Sequence, residues 1–173
     1  MRANPFIAER RKDGGAPLYN PEQRRRRDSS RWTRVQGVLA PIQFLIFLVS
    51  LVLVLRYLAT GQGAAAATIS IVVKTGALYA IMLTGSIWEK AVFGKWLFAD
   101  AFFWEDLFSM LVLALHSLYL VALIGGIGSE RGRMLLALAA YASYAVNAAQ
   151  FLLKLRAARL QGAEAPSAMA MTR

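Results

Sequence analysis

The sequence predicts an all-α integral membrane protein, a bundle of four antiparallel transmembrane helices. Hydrophobic residues make up 57% of the 173 residues and charged residues 17%, below the roughly 25% typical of soluble domains. Four apolar segments each approach the ~20 residues that a helix needs to cross a bilayer. Because the linkers between them are short, consecutive helices are expected to be antiparallel neighbours.

The predicted helices cover residues 35–58, 65–88, 106–127 and 134–155, within a transmembrane domain of residues 34–156. Linkers rich in Gly and polar residues join the first pair and the last pair. The middle linker, "EKAVFGKWLFADAFFWE", is strongly aromatic. We therefore expect it to lie along the membrane surface or to re-enter the membrane.

Positive charge determines the predicted orientation. A run of four arginines at 24–27 precedes the first helix, and Arg156 and Arg159 follow the last. Because Lys and Arg accumulate on the cytoplasmic side, both termini are expected there. The net charge of +10 then indicates lipid-headgroup contact and no nucleic-acid partner. Residues 1–33 and 157–173 are predicted to be largely disordered tails, since they mix charge, Gly and Pro.

The third segment contains "FFWEDLFSMLVLALHSLYL", residues 102–120, which carries two acids and the only histidine of the chain. Glu105 and His116 are eleven positions apart, which at about 100° per residue places them on one helix face. Asp106 points about a quarter turn away, and His116 lies roughly 15 Å deeper. Ionisable groups are expensive in hydrocarbon and often functional. This face is therefore predicted to line a pocket open to the cytoplasm.

The other helices add polar groups mostly to the cytoplasmic half of the bundle, namely Gln36, Gln43, Glu89, Tyr144, Asn147 and Gln150. Structural interpretations also remain open. The amides could join helices, the acids could complement a helix dipole, and His116 could be a buried neutral imidazole. Lys74 is expected to extend its amine to the outer surface, because helical side chains lean towards the helix N-terminus.

The composition also excludes several classes of site. The chain contains no cysteine and one histidine, which rules out disulfides, thiolate metal sites and a two-histidine haem within one chain. No phosphate-binding glycine loop or dinucleotide fingerprint is present. Carboxylates, one imidazole, amides and many aromatic rings remain, a set that suits proton transfer to a flat, apolar ligand.

Several segments closely resemble the 3-vinyl (also called 2-vinyl) bacteriochlorophyllide hydratases of photosynthetic bacteria, over about residues 18–160. They are "NPEQRRRRD", "VQGVLAPIQFLIFLVSLVLVLRYLATG", "GSIWEKAVFGKWLFADAFFWEDLFSMLVLALHSLYL" and "LAAYASYAVNAAQFLLKLRAARL". The resemblance implies a hydro-lyase without a cofactor, which adds water to the 3-vinyl group of a chlorophyllide and gives a 3-(1-hydroxyethyl) product. It also implies a bacterial inner (intracytoplasmic) membrane, with lipids, the tetrapyrrole substrate and other bacteriochlorophyll-synthesis enzymes as partners.

For that reaction we predict Glu105 as general acid, because partial burial favours the neutral, proton-donating form of a carboxyl group. Asp106 or Glu89 would orient water. His116 would be an axial ligand of the substrate magnesium or a second proton-transfer group. Substrate-binding residues are predicted to be Trp88, Phe103, Trp104, Gln43, Tyr144, Asn147 and Gln150, although the tryptophans and Phe103 could instead form an interfacial belt.

Two other classes of protein fit the same residues. A non-catalytic tetrapyrrole carrier or assembly factor would use His116 as its metal ligand and leave the pigment unchanged. A structural membrane subunit would use the polar residues only to hold its helices together.

Overall fold

The computed structural model describes residues 18–170, and the side chains of residues 18–156. The regular secondary structure of these residues is all helical, with five helices and no strand. The helices are α1 (Pro21–Ser29), α2 (Arg31–Thr60), α3 (Ala64–Phe93), α4 (Phe103–Ile124) and α5 (Glu130–Ala170). Helices α2, α3, α4 and the Glu130–Arg156 part of α5 are long and apolar enough to cross a membrane. The predicted all-α class and the four apolar helices are therefore confirmed.

Helix α1 forms in the tail that was predicted to be largely disordered. The Asn20 side chain accepts a hydrogen bond from Gln23 N at 2.8 Å, while Asn20 N donates to Gln23 Oε1 at 3.0 Å. This capping box, with Pro21 at the first helical position, sets the start of the helix. Tyr19 is buried against Phe93 and anchors the segment. Residues 1–17 and 171–173 of the predicted tails lie outside the described residues.

Helices α2 and α3 form a first hairpin along nearly their whole length. Trp88 Nε1 donates to Thr33 Oγ1 at 3.0 Å, and Gln36 Nε2 donates to Thr84 Oγ1 at 2.7 Å. The start of α2 thus lies beside the end of α3. Gly61 and Gly63 make the turn at φ of 70° and 83°, a left-handed conformation that only glycine adopts without strain.

Helices α4 and α5 form a second hairpin. Asn147 Nδ2 donates to Ser109 Oγ at 2.8 Å, and Lys154 Nζ lies 2.5 Å from Glu105 Oε2. Contacts are dense within each hairpin and sparser between the two hairpins. We call the boundary between the hairpins the seam. The Ser50 hydroxyl of the first hairpin and the Tyr141 hydroxyl of the second lie 2.5 Å apart across it.

The bundle carries apolar side chains outside and polar side chains inside. Large hydrophobic residues such as Leu45, Val52, Ile69, Leu83 and Leu152 are well exposed on the helices. Buried positions instead include many polar or charged residues, among them Gln43, Ser50, Lys74, Glu89, Glu105, Asp106, His116 and Asn147. An exposed apolar surface of this extent is stable only against lipid or another apolar phase. The chain is therefore a membrane protein.

Candidate active site

Three carboxyl groups meet where α3 ends and α4 begins. Glu89 lies in the last turns of α3, and Glu105 and Asp106 lie in the first turn of α4; all three are buried. We call these acids, together with Lys154, the acid cluster. Their proximity follows from the loop of residues 94–102, which brings the two helix ends together.

The loop binds two of the acids through its backbone. Phe98 N donates to Asp106 Oδ2 at 2.7 Å, and Ala99 N donates to Glu89 Oε2 at 3.2 Å. Phe98 has a φ of 58°, which is uncommon for a residue with a large side chain. Such strain persists only when the surroundings impose it. Here the left-handed residue turns two consecutive amides towards the two carboxyl groups.

Glu89 and Asp106 accept hydrogen bonds from two consecutive amides of one loop, which places their carboxyl groups side by side. Two negative charges so close together repel strongly, and a carboxyl pair of this kind retains one proton between its two members. Both carboxyl groups are buried at the end of the bundle where the basic helix α1 lies.

Glu105 has a different environment. Lys154 donates to Glu105 Oε2 at 2.5 Å and also to the Ala101 carbonyl oxygen. A carboxyl group in direct contact with an ammonium accepts a charge-assisted hydrogen bond. Sequence reasoning did not single out Lys154. The helical spacing could have identified it, because Lys154 follows Asn147 by seven residues and so lies on the same face of α5.

His116 lies deeper in the bundle and is 1% exposed. Its Nδ1 atom is 2.8 Å from the carbonyl oxygen of Val112. A carbonyl oxygen can only accept, so Nδ1 carries the proton and Nε2 carries a lone pair when the ring is neutral. Nε2 is buried and has no hydrogen-bond partner within residues 18–156. Both His116 and Glu105 are thus buried in the bundle, as their spacing predicts.

Lys74 is placed differently from the prediction. Its side chain is fully buried, at 0% exposure, and Nζ lies 3.9 Å from the centre of the Tyr144 ring in the other hairpin. The prediction that the amine extends to the outer surface is wrong. The long side chain turns inward, towards the seam, where its contact with Tyr144 depends on how the two hairpins pack.

The predicted substrate-binding residues divide into two groups. Gln43 and Asn147 are buried, and Tyr144 packs against Phe47 with ring centres 4.8 Å apart. Among the described residues, Asn147 Oδ1 and Gln150 Oε1 are buried without a hydrogen-bond partner. Asn147 bonds to Ser109, one turn from Asp106. His116 and Lys74 are linked instead through Tyr141, Phe47 and Tyr144, and we call these five residues the deep cluster.

The aromatic members of the prediction lie elsewhere. Trp88 is half-buried and packs edge-on against Phe93 and Phe102, close to the acid cluster. Phe103 and Trp104 are 44% and 64% exposed. The structure therefore does not bring these two side chains to the seam.

The sequence model of the 2-vinyl bacteriochlorophyllide hydratases matches residues 19–157, a range that includes both clusters. The chain belongs to this family. Two curated hydratases of the same name are similar to it. The one from Cereibacter sphaeroides is 65% identical over 144 residues, which cover 83% of this chain and 89% of the relative. The one from Rhodobacter capsulatus is 62% identical over 146 residues, which cover 84% and 85%.

No solved structure matches the chain. Membership of the 2-vinyl bacteriochlorophyllide hydratase family confirms the resemblance stated from the sequence. It makes the chain a hydratase, that is, a hydro-lyase, with a role in bacteriochlorophyll synthesis. A non-catalytic carrier and a purely structural subunit do not agree with this membership.

Proposed function

We propose that this hydratase adds water across the 3-vinyl group of a chlorophyllide, with the pigment lying in the seam between the two hairpins. The observation that carries the proposal is the acid cluster, in which two loop-bound carboxyl groups lie beside a lysine-paired glutamate inside an apolar helix bundle. Acid-catalysed hydration of an alkene requires a proton donor and a group that stabilises the cationic intermediate. The carboxyl groups of the cluster can serve in both roles.

The protein would lie in the bacterial inner or intracytoplasmic membrane, with alternating helix directions and both termini in the cytoplasm. The basic residues of α1 and Arg156 lie at the same end of the bundle, beside the end of α3 and the start of α4, and support that orientation. The acid cluster then lies near the cytoplasmic surface, where water is available, and His116 lies deeper. Other bacteriochlorophyll-synthesis enzymes remain expected partners at this surface.

The reaction balances without a redox partner. A proton added to the terminal vinyl carbon leaves a positive charge on the inner carbon, and the conjugated macrocycle delocalises that charge. The oxygen of water then bonds to the inner carbon, and the water loses one proton. The net change is the addition of one water molecule and the loss of one carbon–carbon double bond.

The Glu89–Asp106 pair is the proposed proton donor, and it recovers a proton from the attacking water. Glu105, paired with Lys154, would stabilise the cation electrostatically. These roles reverse those predicted from the sequence, in which Glu105 was the donor and Asp106 or Glu89 oriented water. The reason for the change is Lys154, since a carboxylate paired with an ammonium is a poor proton donor.

His116 is the proposed axial ligand of the substrate magnesium. Its Nε2 lone pair is buried and unpartnered among the described side chains, while Nδ1 is fixed by Val112. A metal-binding histidine commonly uses its other ring nitrogen in this way, because the second hydrogen bond fixes the tautomer and the ring orientation. The magnesium belongs to the substrate, so the protein needs no cofactor of its own for this chemistry.

Hydration can be tested directly in membranes that contain the protein. They would be incubated with chlorophyllide in isotopically labelled water, beside membranes that lack the protein. Because loss of the vinyl group shortens the conjugation, we expect the pigment absorption to shift to the blue. The product should carry labelled oxygen on its hydroxyethyl group. An unchanged spectrum and unlabelled pigment, from membranes in which the protein is folded, would contradict the proposal.

A further inference from the structure

Lys74 is the most unusual charged residue of the bundle. It lies in the middle of α3, far from either end of that helix, and its side chain is completely buried. The amine has no hydrogen-bond acceptor in the part of the protein whose side chains are described. Nζ lies over the face of the Tyr144 ring, 3.9 Å from the ring centre.

A cation–π contact satisfies little of what an ammonium requires. The contact contributes roughly 0.5–2 kcal/mol, whereas a charged group buried away from water needs an opposite charge or several acceptors. Lys74 is therefore placed where a ligand with an anionic oxygen would complete its coordination. The proposed hydration reaction does not use this residue, so its burial calls for another role.

The neighbours of Lys74 indicate that the ligand is the pigment. The His116 ring packs against Tyr141, which is linked through Phe47 to Tyr144 and so to Lys74. The unpartnered Nε2 of His116 is the proposed magnesium ligand. The Tyr144 ring packs at a tilt against Phe47, and the Lys74 amine lies over its face. An aromatic surface, a metal ligand and a cation are thus joined by a chain of contacts across the seam. They complement the flat ring, the magnesium and the carboxylate of the pigment.

A chlorophyllide has one free carboxylate. By definition it lacks the alcohol that esterifies the propionate side chain of a chlorophyll. This propionate is carried by the pyrrole ring next to the one that bears the 3-vinyl group, on the far side of that ring, so the two substituents point in different directions. Asp106 and His116 are ten residues apart on α4, or roughly 15 Å. A pigment whose magnesium lies at His116 and whose vinyl edge faces the acid cluster therefore directs its propionate edge away from that cluster.

We propose that Lys74 binds the propionate carboxylate of the substrate and thereby determines which edge of the macrocycle faces the acid cluster. This inference rests on the proposed function, and it adds a basis for selecting the substrate. A free-acid pigment gains a charge-assisted hydrogen bond that an esterified pigment cannot make. The site should therefore discriminate between the two even though their macrocycles are identical.

The test compares chlorophyllide with its methyl ester, in binding titrations followed by pigment absorption and in turnover. Wild-type protein is expected to bind the free acid roughly ten- to a hundredfold more tightly than the ester, the range for a hydrogen bond to a charged group. In Lys74→Met the ratio of the two dissociation constants should fall to near one. In Lys95→Met, which removes a half-exposed surface lysine paired with Asp100, the preference should remain.

The affinities of the free acid and the ester decide whether Lys74 binds the propionate. Equal affinity of wild-type protein for acid and ester would overturn the proposal, as would a Lys74→Met variant that keeps the preference of the wild type. The wild-type comparison needs no variant, so poor folding of Lys74→Met cannot prevent a decision. The binding titration also needs no turnover. A preference for the acid without any hydration would therefore contradict the proposed function and leave the carboxylate site supported.

Discussion

At the scale of single residues, His116 Nε2 carries a buried lone pair without a partner among the described residues. We expect this nitrogen to bind the magnesium of the substrate. His116→Phe keeps an aromatic side chain of similar bulk but removes the ligand. We expect the variant to bind a magnesium chlorophyllide at least about tenfold more weakly, a loss comparable with other changes at metal sites. Binding of the metal-free pigment should be unchanged. An equal loss for both pigments, measured by absorption titration, would mean that His116 contributes only to packing.

Lys74 should lower the stability of the empty protein, because a buried ammonium without an acceptor is unfavourable. Lys74→Met has a similar shape and no charge. We therefore expect the unliganded variant to unfold at a higher temperature than the wild type, with a gain of about 1–3 kcal/mol in the free energy of unfolding. Thermal unfolding in detergent without pigment measures this, with Lys95→Met as the control. A lower melting temperature for Lys74→Met would instead indicate that the lysine supports the fold.

Periodicity predicted which face of a helix is buried, but not the partners of its side chains. The eleven-residue spacing correctly placed Glu105 and His116 in the interior. It could not predict that Lys154 would pair with Glu105, since that contact depends on the register of α5 against α4. For the same reason, the inward turn of Lys74 depends on a tyrosine seventy residues later in the chain.

At the scale of helices, hydrophobic length predicted the four apolar helices, while their ends required local detail. Helix α3 was expected to end at residue 88 but continues to Phe93. Gly94, with a φ of 80°, then ends it, and Lys90 donates to the Gly94 carbonyl oxygen. The extra turn matters for the site, because it places Glu89 inside a regular helix opposite Asp106 rather than in a loop.

The seam between the hairpins should open for the pigment to enter. The chain has no cysteine, so a pair of introduced cysteines can be joined by a short, cleavable thiol cross-linker. The hydroxyl groups of Ser50 and Tyr141 meet across the seam. A cross-link between Ser50→Cys and Tyr141→Cys is expected to abolish turnover, and cleavage of the linker should restore it. Retained turnover in the cross-linked protein would show that the pigment enters elsewhere.

A matched cross-link lies within the first hairpin. Gln36 and Thr84 are hydrogen-bonded side chains of α2 and α3, so joining cysteines at these positions restrains one hairpin without closing the seam. We expect this variant to keep its turnover before and after cleavage. Loss of turnover here as well would point to a general effect of cross-linking.

At the scale of the whole molecule, the exposed apolar surface and buried polar groups require a membrane, and the charge distribution supports one orientation. Single cysteines at Gln62 and Lys95 lie in two exposed connections of the bundle. In intact cells an impermeant thiol reagent should label Gln62→Cys from outside. Lys95→Cys should react only after the membrane is opened. The opposite pattern would place the acid cluster at the periplasmic surface.

The central claim is that the Glu89–Asp106 pair supplies the proton for hydration. The most direct test compares turnover of chlorophyllide by Glu89→Gln and Glu105→Gln in the same membranes. Glu89→Gln is expected to lower kcat by about 10²–10⁴-fold, the usual contribution of a general acid, with pigment affinity largely unchanged. Glu105→Gln should have the smaller effect on kcat. A Glu89→Gln variant that turns over like the wild type, while Glu105→Gln is inactive, would contradict the account.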